Sequence, residues 1–131
     1  EKALLNDVME LHGDGKQTRT FTYVEDTVQG ILKCMFHKKS TNEIFNIGTE
    51  PIAEISIENL AKLIWKLIRP EDKRPKIKYI PYSTFGKYED VQRRVPDITK
   101  IKKLLGYKPV WGIEDGLRET IAWQKILSHS T

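Results

Sequence analysis

The residues best suited to binding an anion follow a glycine pair near the start of the chain. Gly13 and Gly15 precede Arg19 in the segment GDGKQTRTFTY. A dinucleotide-binding fingerprint requires a third glycine where Thr18 stands and a helix directly afterwards, and the sequence predicts neither. We therefore interpret the two glycines as hairpin-turn residues. Arg19 lies at the mouth of the strand predicted next, where its planar fork of donors could bind a diphosphate through paired hydrogen bonds. A surface arginine without a ligand is the alternative interpretation.

Short strands are predicted around this arginine and further along the chain. Alternating or continuous apolar residues predict strands over 8–11, 20–23 and 77–80. The segment EIFNIG, residues 43–48, is typical of a short buried strand that ends at a glycine. Residues 81–96 show no period and form a predicted loop, in which the three aromatic residues Tyr82, Phe85 and Tyr88 indicate a lid or a packing patch.

Helical periodicity alternates with these strands. Ser56 and Asp97 are suitable N-caps, and Asp26 lies in a first turn, where an acidic side chain favours the helix dipole. The predicted helices run from Val24 to about His37, from Ser56 to Pro70, from Asp97 to Gly106 and from about Glu114 to Leu127. The aromatic residues expected in the core are Phe21, Tyr23, Trp65, Trp111 and Trp123. This alternation predicts an α/β or α+β class built from mixed short strands and helices.

Composition narrows the class of protein further. With 131 residues, of which 39% are hydrophobic, the chain is expected to form one globular core. Its apolar runs are only a few residues long, so we expect no membrane span. A single cysteine, Cys34, allows no internal disulfide and is consistent with a reducing cytoplasm. The chain starts at Glu1 in what resembles the end of a helix, so we expect a piece of a longer protein.

The charge balance allows an anionic ligand without specifying one. Twenty-two Lys and Arg residues against eighteen Asp and Glu give a net charge of +4. The dense basic run EDKRPKIK, residues 71–78, is interpreted as a solvated turn. A basic nucleic-acid-binding module and a structural assembly module are the alternatives to a diphosphate-binding domain.

Three segments together resemble the extended short-chain dehydrogenase/reductase family, in its C-terminal part. The segments are GDGKQTRTFTYVEDTVQGI, EIFNIG and RRVPDITKIKKLLGYKPVWGIEDGLRETI, and they occur in the family's order over most of the chain. Members are NAD-dependent nucleotide-sugar epimerases, dehydratases and decarboxylases with a Rossmann-type fold. The resemblance implies that Arg19 binds the diphosphate of a nucleotide-sugar. It implies the same for a second arginine, with Arg94 preferred and Arg93 as the alternative, and it places Leu11 and His12 near the base.

The same resemblance implies that this chain lacks the family's reaction centre. The family uses a glycine-rich NAD site and a Tyr-x-x-x-Lys pair, and no tyrosine here has a lysine four residues later. We therefore expect no catalytic residue, no bound NAD and no activity in the isolated chain, and the sequence offers no metal site. NAD, and a cytoplasmic homodimer, are expected for the full-length protein.

The resemblance also implies how the chain divides between two lobes. Residues of about 24–48 are expected to complete the edge of a missing N-terminal NAD-binding domain, and the rest to form the sugar-nucleotide lobe. This would leave apolar faces exposed. The long aromatic loop over 81–96 favours an epimerase, with a UDP-glucuronate decarboxylase or a dTDP-glucose dehydratase as the alternatives.

Overall fold

Five short strands and four α-helices make up the part of the chain that this computed structural model describes, residues 1–86 and 90–128. In chain order they are β1 (Met9–His12), β2 (Thr18–Arg19), α1 (Val24–Phe36), β3 (Ile55–Ser56), α2 (Ile57–Ile68), β4 (Ile77–Ile80), β5 (Arg93–Arg94), α3 (Thr99–Leu105) and α4 (Ile113–Ser128). Strands and helices alternate, which confirms the predicted mixed α/β class. None of the described helices combines the length and apolar character needed to cross a membrane.

The strands form two separate sheets, and the glycine turn connects one to the other. In the first sheet β1 runs parallel to β4, with Met9 opposite Ile77 and His12 opposite Ile80. In the second, β2 lies between β3, which is antiparallel, and β5, which is parallel. Because β1 and β2 belong to different sheets, the turn is not the predicted hairpin. Its glycines are nevertheless required by their backbone, since Gly13 and Gly15 have φ values of 75° and 72°.

Helix α2 follows its sequence signals closely. The Ser56 hydroxyl accepts a hydrogen bond from the Asn59 amide at 3.2 Å, as an N-cap does. Trp65 is buried on the inner face, and its indole N–H donates to the Asp72 carbonyl at 3.0 Å. The helix ends at Ile68, just before Pro70. The predicted cap and boundaries of this helix are therefore confirmed.

A buried cluster of Ile98, Ile101, Leu105 and Tyr107 forms the core around helix α3. Cys34, Phe45, Ile47 and Leu104 pack against it from the side. Helix α3 is followed by Gly106, whose φ of 62° places it in the left-handed region, as its sequence predicts. The hydroxyl of the buried Tyr107 donates a hydrogen bond to the Gly48 carbonyl at 2.8 Å.

Tyr107 gives the fold a measurable alkaline sensitivity. Burial raises the pKa of Tyr107 to about 12, whereas an unfolded tyrosine titrates near 10. The neutral phenol thus contributes stability that is complete below about pH 10 and is lost as the pH rises towards about 12. We expect Tyr107→Phe to cost about 1 kcal/mol at neutral pH, because the Gly48 carbonyl loses its donor, and to flatten the decline in stability above pH 10. Urea unfolding at pH 7 to 11 measures both, and equal alkaline slopes in the two proteins would contradict the assignment.

Asp26 has a larger role than its predicted place at a helix start suggests. Its side chain is 2% exposed, and its two oxygens accept hydrogen bonds from the backbone amides of Val110 and Trp111, each at 3.0 Å. Next to it, the rings of Tyr23 and Trp111 lie 4.4 Å apart. Helix capping therefore does not explain Asp26, because its hydrogen bonds connect the segment before α4 to helix α1.

Two of the predicted strands are wrong. Residues 43–48 run without strand pairing in the described structure, because no neighbouring strand supplies a hydrogen-bond ladder. Phe45 and Ile47 pack on the core instead, and Ile44 is 87% exposed. The second error is the predicted strand over 20–23, since the paired residues are Thr18 and Arg19 just before it.

Apolar side chains remain exposed on α1 and α4. Trp123 is 56% exposed and Phe21 is 38% exposed, so the prediction that both lie in the core is wrong. The exposed apolar residues of α1 are Val24, Val28, Ile31, Leu32, Met35 and Phe36. Two helices therefore present apolar surfaces that the rest of the described chain does not cover.

Candidate functional site

Arg19 and Arg94 line the same cleft. Strands β2 and β5 pair in parallel so that Arg19 is opposite Arg94 and Thr18 is opposite Arg93. Residues opposite each other in a sheet project from the same face, so Arg19 and Arg94 share one side of the sheet, and Thr18 and Arg93 share the other. The cleft has a volume of about 300 Å³. Its lining residues are Arg19, Thr20, Thr22, Asn46, Ile47, Gly48, Arg94, Val95 and Pro96.

Arg93 makes a different set of contacts. Its Nε lies 3.0 and 3.1 Å from the two oxygens of Glu54, and its Nη2 lies 2.8 Å from Oε2. The Thr18 hydroxyl donates to the same carboxylate. The hydrogen bond from Arg93, followed by the one from Thr18, holds the pKa of Glu54 below its usual range. Arg93 is thus occupied by a protein carboxylate, away from the cleft lined by Arg19 and Arg94.

The Arg19 side chain is mostly buried and is held from two sides. Its Nη1 donates to the Thr18 carbonyl at 2.7 Å, and its Nη2 contacts Asp90 Oδ1 at 3.0 Å. The side chains of Arg19 and Asp90 are only 18% and 15% exposed. An ion pair this far from solvent is screened less by salt than a surface pair. Arg19 therefore reaches the cleft with its guanidinium already oriented.

Asp90 is in turn fixed by Tyr82. The Tyr82 hydroxyl donates to Asp90 Oδ2 at 2.8 Å, and the Gln17 amide donates to the Tyr82 oxygen at 3.1 Å and to the His12 carbonyl at 3.0 Å. The Tyr82 hydrogen bond is the main cause that lowers the pKa of Asp90, and the Arg19 charge adds to it. The carboxylate is therefore held in its ionised form, beside the arginine.

The glycine turn makes room for this tyrosine. A side-chain carbon added at Gly13 would lie 2.4 Å from the Tyr82 ring, which is closer than real contacts allow. Gly13 is thus required both for its positive φ and for the approach of Tyr82. The aromatic ring of Tyr82 thus fills the space beside the turn.

The two residues predicted to lie near a base project to opposite sides of β1. Leu11 is 7% exposed and contributes to the interior, while His12 is exposed with its ring centroid 4.6 Å from that of Phe85. Successive strand residues alternate between faces, so these two side chains lie on opposite sides of β1. The structure brings neither of them into the cleft of Arg19 and Arg94.

Residues that sequence reasoning missed are Gln17, Asp90 and the specific role of Tyr82. Tyr82 was noticeable as an aromatic residue in an aperiodic loop, but the pairing of Asp90 with Arg19 joins positions 71 residues apart and has no local signal. Tyr88, predicted in the same loop, lies outside the described residues. Over 1–86 and 90–128, no three His, Cys, Asp or Glu side chains are grouped as metal ligands would be.

Three basic residues in the second half of the chain form ion pairs with acidic residues. Besides the pair of Arg93 with Glu54, Lys100 contacts Glu43 at 2.6 Å and Lys102 contacts Glu50. A nucleic-acid surface needs basic side chains that are available to phosphates along a stripe. These ion pairs therefore give no support to the nucleic-acid alternative.

Comparison with known proteins gives a consistent picture. The profile of the GDP-mannose 4,6 dehydratase family matches residues 2–120. A UDP-N-acetyl-alpha-D-glucosaminuronate decarboxylase of Bacillus cytotoxicus is 39% identical over 92% of this chain and 36% of its own length.

Solved structures agree with the sequence relatives. A UDP-glucuronic acid 4-epimerase from Bacillus cereus, in complex with UDP-glucuronic acid and NAD, matches with a TM-score of 0.81 and 27% identity over 96% of this chain and 38% of its own. A dTDP-glucose 4,6-dehydratase from Bacillus anthracis, in complex with NAD, matches with a TM-score of 0.78 and 25% identity over 95% and 36%. The chain spans about a third of the length of these relatives.

Proposed function

Because the chain belongs to the GDP-mannose 4,6 dehydratase family, we propose that it is the sugar-nucleotide-binding part of an NAD-dependent nucleotide-sugar epimerase or dehydratase. The cleft shared by Arg19 and Arg94 carries this proposal. Two guanidiniums on one face match the charges of a diphosphate and fix its orientation as well as its affinity. In this role the chain binds the substrate, and the sugar extends away from the cleft to the place where the reaction occurs.

Within this class we favour an epimerase, and a UDP-glucuronate decarboxylase or dTDP-glucose dehydratase are the alternatives. The matched proteins include decarboxylases, epimerases and a dehydratase, which share a nucleotide-sugar substrate and differ in the reaction at the sugar. The diphosphate clamp is compatible with all three. The proposal for Arg19 and Arg94 is therefore independent of the reaction type.

We propose that NAD and the acid–base pair belong to a part of the full-length protein outside this chain. The structural neighbours with bound NAD are nearly three times as long as the matched region. The glycine turn is filled by Tyr82 and leads into a two-residue strand, so it lacks the space and the helix N-terminus of a dinucleotide site. On this proposal the isolated chain has no turnover.

Residues 24–48 are proposed to pack against that other part. Helix α1 leaves Phe36 77% exposed and Val24 60% exposed, and Ile44 in the unpaired segment 43–48 is 87% exposed. A domain surface that covers these residues would remove their apolar area from water and supply a strand partner. A homodimer of the full-length protein stays a prediction from the family resemblance, and a cytoplasmic location stays a prediction from the single cysteine.

A thermal-shift panel tests the substrate class. UDP-glucose, dTDP-glucose, GDP-mannose and CDP-glucose are added in turn to the full-length protein that contains this chain. At a fixed ligand concentration, a ligand that binds the folded state raises the melting temperature more the tighter it binds, with a logarithmic dependence on its affinity. The most stabilising compound becomes the reference nucleotide-sugar for the measurements below. If none of the four raises the melting temperature, the proposed function is wrong.

Lysine substitutions distinguish the two neighbouring arginines. Arg94→Lys keeps the charge in the cleft but removes the bidentate fork, so we expect the reference nucleotide-sugar to bind about 1 to 2 kcal/mol more weakly. Arg93→Lys is the matched control, since Arg93 contacts Glu54 on the other face, and we expect almost no change in affinity. Isothermal titration measures both variants. Negligible effects from both would leave Arg19 as the sole remaining member of the clamp.

A further inference from the structure

Arg19 is restrained before any ligand arrives, and the restraint comes from a loop far away in the chain. A free arginine loses up to about 2 kcal/mol of rotamer entropy when a ligand fixes it. Contacts made in the unliganded protein reduce that loss, because the side chain is already ordered. Of the two partners that hold Arg19 among the described residues, Thr18 is its own chain neighbour and Asp90 is 71 positions away. The orientation of the guanidinium thus depends on where Asp90 is held.

The contact geometry leaves Arg19 with donors to spare. A guanidinium has five N–H groups, and Asp90 and Thr18 each take one from a different terminal nitrogen. Asp90 uses a single oxygen for this contact and gives its other oxygen to Tyr82. The pair of Arg93 with Glu54 differs, since there the carboxylate contacts both Nε and Nη2. Asp90 therefore orients Arg19 without occupying its fork.

Tyr82 fixes Asp90 through contacts that converge from the glycine turn. Its ring packs against Gly13, and its oxygen accepts from Gln17, which is 5% exposed and also holds the His12 carbonyl. The chain of contacts runs from the end of β1 through Gln17, Tyr82 and Asp90 to Arg19 at the cleft. Each link is a hydrogen bond or ion pair of 2.8 to 3.1 Å. A network of this kind fixes the position of the Arg19 guanidinium in addition to balancing its charge.

We propose that Asp90 and Tyr82 are positioning residues that hold Arg19 in its diphosphate-binding orientation. The proposal rests on the proposed function, since it assumes that Arg19 binds the nucleotide-sugar. Neither residue touches the ligand on this account; each acts through the arginine. Loss of either one leaves Arg19 with its charge but without its fixed direction.

The test is a double-mutant cycle in the full-length protein with the reference nucleotide-sugar. Tyr82→Phe removes one hydroxyl and is expected to weaken binding about 3- to 10-fold, and Asp90→Ala about 10-fold or more. In an Arg19→Ala background both substitutions are expected to change affinity less than 2-fold, because the residue they position is gone. Tyr79→Phe is the matched control: its hydroxyl donates to Glu58 at 2.9 Å, away from the cleft, and its removal should leave affinity unchanged.

The outcomes separate this proposal from the proposed function. If Arg19→Ala weakens binding but Tyr82→Phe and Asp90→Ala do not, the positioning proposal is wrong and the clamp stands. Tighter binding in Asp90→Ala also overturns it, because Asp90 would then compete with the ligand. Equal losses with and without Arg19 would mean that the two residues act elsewhere. Normal binding by Arg19→Ala overturns both proposals. Should Asp90→Ala fail to fold, Tyr82→Phe still completes the cycle.

Discussion

Replacing Arg19 with alanine in the full-length protein is expected to weaken binding of the reference nucleotide-sugar by on the order of 1.5 to 3 kcal/mol, the range for hydrogen bonds to charged groups. The side chain is 18% exposed, and Arg19 lines the cleft together with Arg94. Its removal also leaves Asp90 without its cation, in surroundings that are largely closed to water. The expected loss of affinity thus comes from the missing ligand contacts, and the unpaired carboxylate is expected to lower the stability of the fold instead.

Isothermal titration with the reference nucleotide-sugar and, separately, with NAD measures this effect. NAD affinity should be almost unchanged, since the proposed NAD site lies outside this chain. Glu71→Ala is a control for general damage, because Glu71 is exposed and lies outside both the cleft lining and the segment 24–48. A similar loss of affinity for NAD, or undiminished binding of the nucleotide-sugar, would refute the role given to Arg19.

Asp26→Ala is expected to be the most destabilising single substitution considered for this chain. Two backbone amides, those of Val110 and Trp111, would lose their acceptor in a site where Asp26 is 2% exposed. An unsatisfied buried donor costs about 1 to 3 kcal/mol, so the free energy of unfolding should fall by on the order of 3 kcal/mol. Asp26→Asn keeps one acceptor oxygen and should cost less.

Urea unfolding of the full-length protein gives the comparison. Glu25→Ala serves as the matched control, because it removes an acid from the same helical turn at an exposed position. The interaction of such an acid with the helix dipole contributes only about 0.3 to 1 kcal/mol to stability. If Asp26→Ala unfolds at the same urea concentration as Glu25→Ala, the two amides must have other partners and the role of Asp26 is refuted.

Local signals in the sequence predicted the helices well. Ser56 as the cap of α2, Pro70 after its end and Gly106 beyond α3 are each decided by a few neighbouring residues. The strands were predicted less well, because a strand exists only where a partner lies beside it. Residues 43–48 have a strand-like sequence and no pairing strand in the described chain, whereas β5 has two residues and emerged from a loop without period.

The candidate site was predictable in part for the same reason. Arg19 and Arg94 were singled out through family resemblance, and the parallel register puts them on one face of the sheet. Arg93 could not be separated from Arg94 by sequence, since the distinction depends on Glu54, which pairs with it across strands. Asp26 was misjudged because its partners lie 84 and 85 positions away. Interactions between residues so far apart in the chain produce no periodic pattern in the sequence.

The pairing between β2 and β5 also affects the conformational entropy of the chain. Each of the two strands has only two residues. Their pairing nevertheless closes the long loop that runs from Thr18 to Arg93. Closing so long a loop carries an entropic cost that grows with the logarithm of its length, and so short a ladder offsets little of it. A diphosphate held by one arginine from each strand would act as a reversible cross-link across the mouth of that loop. Because β2 and β5 are already paired in this structure, binding would reinforce a closed loop and make its reopening less favourable.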